Sequence, residues 1–218
     1  MRRGPRLYEG FALIDLYLWT TDNGYKARHG IEESGLPHRL RPLNFRKREQ
    51  FAPEFLKISP GHKIPALVDD DGPGGKTVTL FESGAILKYL GAKAGNGLYP
   101  SDPLQQVTVD KWLFWGSASF TTLAQQFGFF HHRSSEDVPF AKQHYAGLLR
   151  DMLGMLDGHL SDHEYVADRY SVADIAIYAD VHRHGVPDIG LADYRHVQRW
   201  HETIAARPAV QRAWTPFA

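Results

Sequence analysis

The feature that most constrains the fold is a change of pattern part-way along the chain. Before about residue 95, short apolar runs alternate with a helical period; from Leu104 onward the strand signals vanish and helical periodicity alone remains. Leu13-Ile14-Asp15-Leu16-Tyr17-Leu18-Trp19 reads as a buried strand, 24–34 as a short helix closed at Gly35, and 38–44 as a returning strand. That is a βαβ unit. Arg46-Lys47-Arg48-Glu49 reads as a solvated charged loop. Ile64-Pro65-Ala66-Leu67-Val68 and Thr77-Val78-Thr79-Leu80 flank a turn cluster at 69–75, which predicts an antiparallel hairpin. A helix follows in which Ile86, Tyr89 and Leu90 share a face and Ser83 supplies a cap. Helices are predicted over 107–120, 141–156, 172–183 and 196–206, with inter-helix loops at 133–137 and at Val186-Pro187-Asp188. The predicted organisation is therefore an α/β domain over 1–94 with βαβ-ββα order, a linker rich in Gly, Asn, Pro and Ser over 95–103, and an all-helical bundle over 104–218.

Composition removes several kinds of chemistry. Twenty-five Lys plus Arg balance twenty-five Asp plus Glu, so no global charge excess favours nucleic acid or an anionic membrane. Cysteine is absent, which excludes disulfide staples, thiolate metal sites and every mechanism that uses a protein thiol, and fits a reducing, cytoplasmic setting. The apolar stretch 11–19 is interrupted by Asp15 and is too short to span a bilayer, so a soluble protein is expected. Arg2-Arg3 reads as a mobile basic N-terminus rather than a targeting signal.

Three junctions carry candidate chemistry. At Leu18-Trp19-Thr20-Thr21-Asp22-Asn23-Gly24 a strand runs into a helix whose free N–H groups and dipole favour an anion such as a thiolate. Thr21 or Asn23 either adds a donor there or simply caps the helix. Ser59-Pro60-Gly61-His62-Lys63-Ile64-Pro65 leads into a strand through an Ile-Pro bond. A cis bond would leave the Ile64 backbone facing outward to pair with an extended peptide-like ligand; a trans bond would merely begin the strand. At Phe81-Glu82-Ser83-Gly84 a hydroxyl and backbone N–H groups suit a carboxylate and the acid suits an ammonium, a match for an α-amino acid head group, with a plain helix cap as the other reading.

These junctions, together with Ser171-Val172-Ala173-Asp174 in the helical half, resemble the glutathione transferases. Thr21-Asp22-Asn23-Gly24-Tyr25-Lys26, Glu49-Gln50-Phe51-Ala52-Pro53-Glu54-Phe55-Leu56, 59–68, Trp112-Leu113-Phe114-Trp115, Tyr194-Arg195-His196-Val197-Gln198-Arg199-Trp200 and Arg207-Pro208-Ala209-Val210-Gln211-Arg212 are similar to the Nu class and its fungal prion-domain relatives, almost end to end. The resemblance implies a thioredoxin-like N-terminal domain that binds glutathione. It implies catalytic roles for Asn23 and Thr21 at the sulfur, and further glutathione contacts from Gln50, Lys63, Ile64, Glu82 and Ser83. It also implies a basic residue from the stretch Val138-Pro139-Phe140-Ala141-Lys142-Gln143-His144-Tyr145, where relatives carry arginine and this chain has His144, which cannot form a bidentate carboxylate pair. The implied partners are glutathione, as co-substrate, and a small disulfide or electrophile, in a homodimeric cytoplasmic enzyme.

The expected activity is reduction of a disulfide by the thiolate of bound glutathione. Conjugation to an electrophile, cleavage of a thioether or ether, and a non-catalytic interaction module remain the alternatives. Ser171 and Asp174 read as a capping box, with Tyr170 and Ile175 as its staple. Trp112, Phe114, Trp115, Phe127, Phe129 and Phe130 divide between core and second-substrate pocket, the loop 127–130 being the better pocket candidate. His131-His132 and His182-Arg183-His184 lack metal-ligand spacing, so no metal is expected.

Overall fold

A computed structural model of the chain describes residues 13–183 and 186–215, with backbone alone at 186 and 187. Arg2, Arg3 and His184 lie outside the described residues. Strand β1, Ile14–Leu18, turns Ile14, Leu16 and Leu18 inward, each at most 2% exposed. Helix α1, Asp22–Ser34, closes at Gly35 in the left-handed conformation, and β2, His38–Pro42, pairs parallel to β1. After the short helix α2, Pro53–Leu56, strands β3, Ala66–Asp69, and β4, Val78–Phe81, form the predicted hairpin, with β3 antiparallel to β1. The sheet order is β2-β1-β3-β4. Helix α3, Ser83–Ala94, ends at Gly95 and packs beside α1, where Ile86 and Leu90 join Ile14, Leu16, Leu18, Ala27, Ile31 and Leu67 in one core. Each Leu or Ile among them contributes about 1.5–3 kcal/mol by leaving water.

The helical half starts at α4, Pro103–Phe114, and continues through a π-helical stretch, Trp115–Phe120, α5, Thr121–Gly128, and a second π-helical stretch, Phe129–Arg133. Residues 103–133 therefore form one interrupted rod, and 127–130 is helical rather than a loop. The extra residue in each π turn breaks the 3.6 period, which is why the pattern lost the helix there. Then come α6, Pro139–Leu160, α7, Val172–Arg183, a short α8, Val186–Ile189, where a loop was expected, α9, Arg195–Ala205, and α10, Pro208–Ala213. Together with the four-stranded sheet these elements give a thioredoxin-like N-terminal domain and a helical C-terminal one. No helix among the described residues is long and apolar enough to cross a membrane.

The start of α7 shows why its limits were legible. Ser171 N–H donates to Asp174 Oδ2 at 2.9 Å and Ser171 Oγ accepts from Ala173 N–H at 3.3 Å, which satisfies donors at both sides of the helix start. Asp174 also accepts from Val166 N–H and from Trp200 Nε1–H, at 3.0 and 2.9 Å. Burial holds its carboxyl at about 6, against these donors.

Helix α1 occupies a special place, because the sheet and α3 cover one side of it while α7 and α10 cover the other. Its polar residues are consequently buried and find partners far along the chain. Lys26 Nζ donates to Thr121 Oγ1 and Asp180 Oδ2 at 2.6 and 2.7 Å, with neither Lys26 nor Asp180 exposed. The Thr121 hydroxyl lies 2.7 Å from both Asp180 Oδ2 and the Gly116 carbonyl. Burial pushes the Asp180 carboxyl up, opposed by Lys26 and Thr121. Near the other end, Arg207 grips Glu33 through two bonds of 2.6 and 2.9 Å, and Tyr170 donates to the same carboxylate at 3.1 Å.

Candidate active site

The N-termini of α1 and α3 and the turn before β3 meet at one cleft of about 490 Å³. The first wall is the tight turn from β1 into α1. Thr21 N–H bonds back to the Trp19 carbonyl at 2.7 Å, and Thr21 Oγ1 accepts from Gly24 N–H at 3.2 Å. Thr21 is thus the helix cap and also lines the cleft, so its two readings are compatible: the oxygen that caps still carries a proton to donate. Gly24 is required by close approach, because a Cβ there would sit 2.2 Å from the Trp19 carbonyl oxygen. Asn23 and Asp22 line the same turn.

The second wall is the turn into β3. The Ile64-Pro65 bond is cis, Ile64 precedes the ladder and lines the cleft, and the Ser59 hydroxyl braces the Lys63 carbonyl at 2.8 Å. Lys63 itself is exposed at the cleft. The third wall is the start of α3. Here the expected Ser83 cap is not formed: Glu82 is the capping position, without a side-chain bond, and Ser83 is the first helical residue. Ser83 Oγ instead points across to Asn23 Oδ1 at 3.4 Å, which links the two helix starts. Glu82 holds φ 72°, ψ 117°, a conformation that is unfavourable for a side-chain-bearing residue and that accumulates at functional sites. It turns the Glu82 side chain to the cleft while the free N–H groups of α3 face the same space.

Thr21, Asn23, Lys63, Ile64, Glu82 and Ser83 are therefore brought together. Gln50 and His144 are not among the residues that line the cleft. Gln50 lies in the short 3-10 turn Glu49–Phe51, half-buried, and His144 is exposed on α6, stacked on Phe140 with ring centroids 5.8 Å apart. The charged segment 46–49 is ordered rather than a loose loop, since Asn44 Oδ1 accepts from Arg46 and Lys47 N–H, and this turn delivers Phe45 to the cleft. Phe127 is a core residue, Phe130 stacks on Tyr145, and neither lines the cleft.

Three residues to which the sequence assigned no place in this site complete the cleft from the helical half: Gln125, Arg133 and Arg183. Arg183 approaches Asp22 at 3.6 Å and lies over the Tyr25 ring at 4.9 Å. Such contacts join residues over a hundred positions apart, and no local spacing announces them. No group of three or more His, Asp or Glu among the described residues could hold a metal ion.

Helix N-termini and backbone donors aimed at one cavity suit an anionic, peptide-like ligand. Comparison with known proteins gives that geometry its lineage. Residues 23–93 match the family model for the glutathione S-transferase N-terminal domain, and 122–208 match that for the C-terminal domain. The chain is 38% identical to the disulfide-bond oxidoreductase YfcG of Escherichia coli, over 92% of this chain and 94% of that one. Among solved structures it resembles a glutathione transferase from Pseudomonas putida with one glutathione disulfide bound per subunit (35% identity, TM-score 0.87, 95% and 93% coverage). A second is a glutathione transferase from Burkholderia graminis with two glutathione molecules bound per subunit (34%, 0.89, 95% and 89%). On both halves of its sequence and throughout its fold, this chain belongs to the glutathione S-transferase family of enzymes.

Proposed function

We propose that the chain is a Nu-class-type, glutathione-dependent disulfide-bond reductase. The observation that carries this reading is the convergence of the α1 start, the cis Ile64-Pro65 turn and the α3 start on one cleft in a chain without cysteine. Thr21 and Asn23 stabilise the glutathione thiolate, aided by the positive end of α1. The Ile64 backbone pairs with the cysteinyl unit, Glu82 and Ser83 hold the γ-glutamyl head, and Lys63 supplies a cation for a carboxylate. A free thiol ionises near 8.5, so donors that favour the thiolate raise its concentration at neutral pH.

With no protein thiol, both reducing sulfurs come from glutathione. The bound thiolate attacks one sulfur of RS–SR, forming GS–SR and releasing RS⁻, which takes a proton from water. A second glutathione thiolate then attacks the glutathione sulfur of GS–SR, giving GSSG and another RS⁻. Two glutathiones are oxidised and one disulfide is reduced to two thiols. The glutathione disulfide and the paired glutathiones bound by the two relatives support this sequence. A cytoplasmic homodimer belongs to the same reading, and sedimentation analysis tests the dimer.

The test is glutathione-dependent reduction of 2-hydroxyethyl disulfide. Asn23→Ala is expected to lower kcat roughly 10²–10³-fold, the scale of losing a donor aimed at reaction charge. Turnover that neither Asn23→Ala nor Thr21→Ala affects would remove these residues from the mechanism. Absence of any reduction would remove the reductase assignment.

A further inference from the structure

The walls of the cleft are not chemically equivalent. The α/β half offers Lys63 and the α3 start, which can serve the carboxylates of one glutathione. The helical half adds two guanidinium groups, and one of them is already engaged: Arg183 lies 3.6 Å from Asp22 and covers Tyr25. Arg133 is different. It closes the π-helical stretch Phe129–Arg133, one of its Nη groups donates to the Gln125 carbonyl at 3.1 Å, and its guanidinium lies 5.9 Å from the Phe129 ring centroid. Those contacts hold the group at the cleft, yet Arg133 is absent from the ion pairs found among the described residues. Four of its five N–H donors are left in a planar array that matches a carboxylate.

We infer that Arg133 is a specificity-determining residue that receives a carboxylate on the second half of the disulfide, so that the preferred substrate class is an acidic, carboxylate-bearing disulfide. This rests on the reductase reading, because it places glutathione on the opposite wall. His144, the helical-half basic residue that the resemblance implies for glutathione, lies on α6 and is not among the residues that line the cleft. Arg133 reaches the cleft because the π turn adds a residue to the rod and rotates the positions that follow it.

The experiment compares kcat/KM for 3,3′-dithiodipropionate, 2-hydroxyethyl disulfide and cystamine at saturating glutathione, each divided by its uncatalysed rate constant. The acid should be favoured over the neutral disulfide by roughly tenfold, as a charge-assisted pair requires, and the amine should be last. Arg133→Lys should retain part of the preference, Arg133→Gln should bring the acid-to-neutral ratio close to one, and Arg133→Glu should invert the order of acid and amine. Reduction of all three without preference for the acid, or a preference that Arg133→Glu leaves intact, would overturn the inference while the reductase reading stands. If no disulfide is reduced, that reading falls, and the inference is decided by calorimetric titration with S-(2-carboxyethyl)glutathione and S-propylglutathione. Tighter binding of the acid by the wild type, reversed in Arg133→Glu, supports it. Equal affinities, or no binding of either compound, overturn it.

Discussion

At the cleft end of α1, Lys26 and Asp180 meet with neither side chain exposed. Two turns further on, Glu33 and Arg207 form a bidentate pair in which the arginine is 34% exposed. The first pair gives up almost all hydration, and the second keeps part of it. A fully buried pair regains little net stability over an apolar replacement, but losing one partner leaves a charge stranded. It therefore fixes a position more than it adds stability. A half-wet bidentate pair contributes stability and tolerates small displacements. The difference matters because the strictly positioned end is the one that carries Thr21 and Asn23.

The largest expected effect breaks the dry pair. Lys26→Met should cost about 3–5 kcal/mol in denaturant unfolding, or roughly 10 °C in Tm for a chain of this size. Lys26→Met with Asp180→Leu should recover most of it, and a double variant no more stable than the single would show that the partners are not coupled.

The wet pair should respond to pH. Burial alone would raise the Glu33 carboxyl, but the two hydrogen bonds from Arg207, with the His29 ring 3.7 Å away, prevail and hold it at about 2, below its ordinary 4.5. The folded value is the lower one, so the contribution is complete above about pH 4.5 and is lost as the pH falls towards 2. Glu33→Gln should lose roughly 2 kcal/mol at pH 7 and flatten the acid limb in that window. An unchanged acid limb would locate the acid sensitivity elsewhere.

A third pair on the same helix, Glu32 with Arg212 at 2.8 Å, is wetter still, the arginine being 57% exposed. Arg212→Gln should therefore cost less than about 0.5 kcal/mol, and the difference should vanish in 0.5 M salt.

This gradient also explains what the sequence could and could not reveal. The three strand-to-helix junctions are local, so Thr21, Asn23, Ile64 and Glu82 could be picked out from neighbours a few positions away. α7 could be delimited because Ser171 and Asp174 sit three apart. Lys26, Arg28 and His29, by contrast, are residue types that usually stay in water, yet all three are buried. Arg28 meets Thr215 and His29 meets Tyr170, and no helical period encodes partners so distant. Arg133 and Gln125 escaped notice for a related reason, since the π turns that orient them leave no periodic trace. Gln50 and His144 rest on resemblance alone, and neither is among the residues that line the cleft.

The enclosure of α1 bears on how such a chain can change over time. Exchanging the helical half for that of a distant relative would remove Thr121, Tyr170, Asp180, Arg207 and Thr215 in one event, and would strand the four α1 side chains that meet them, Lys26, Arg28, His29 and Glu33. The two halves look like separable modules in the sequence. Their shared helix makes them a single inherited unit, in which a recombination crossover near residue 95 is tolerated only when both parents carry matching partners.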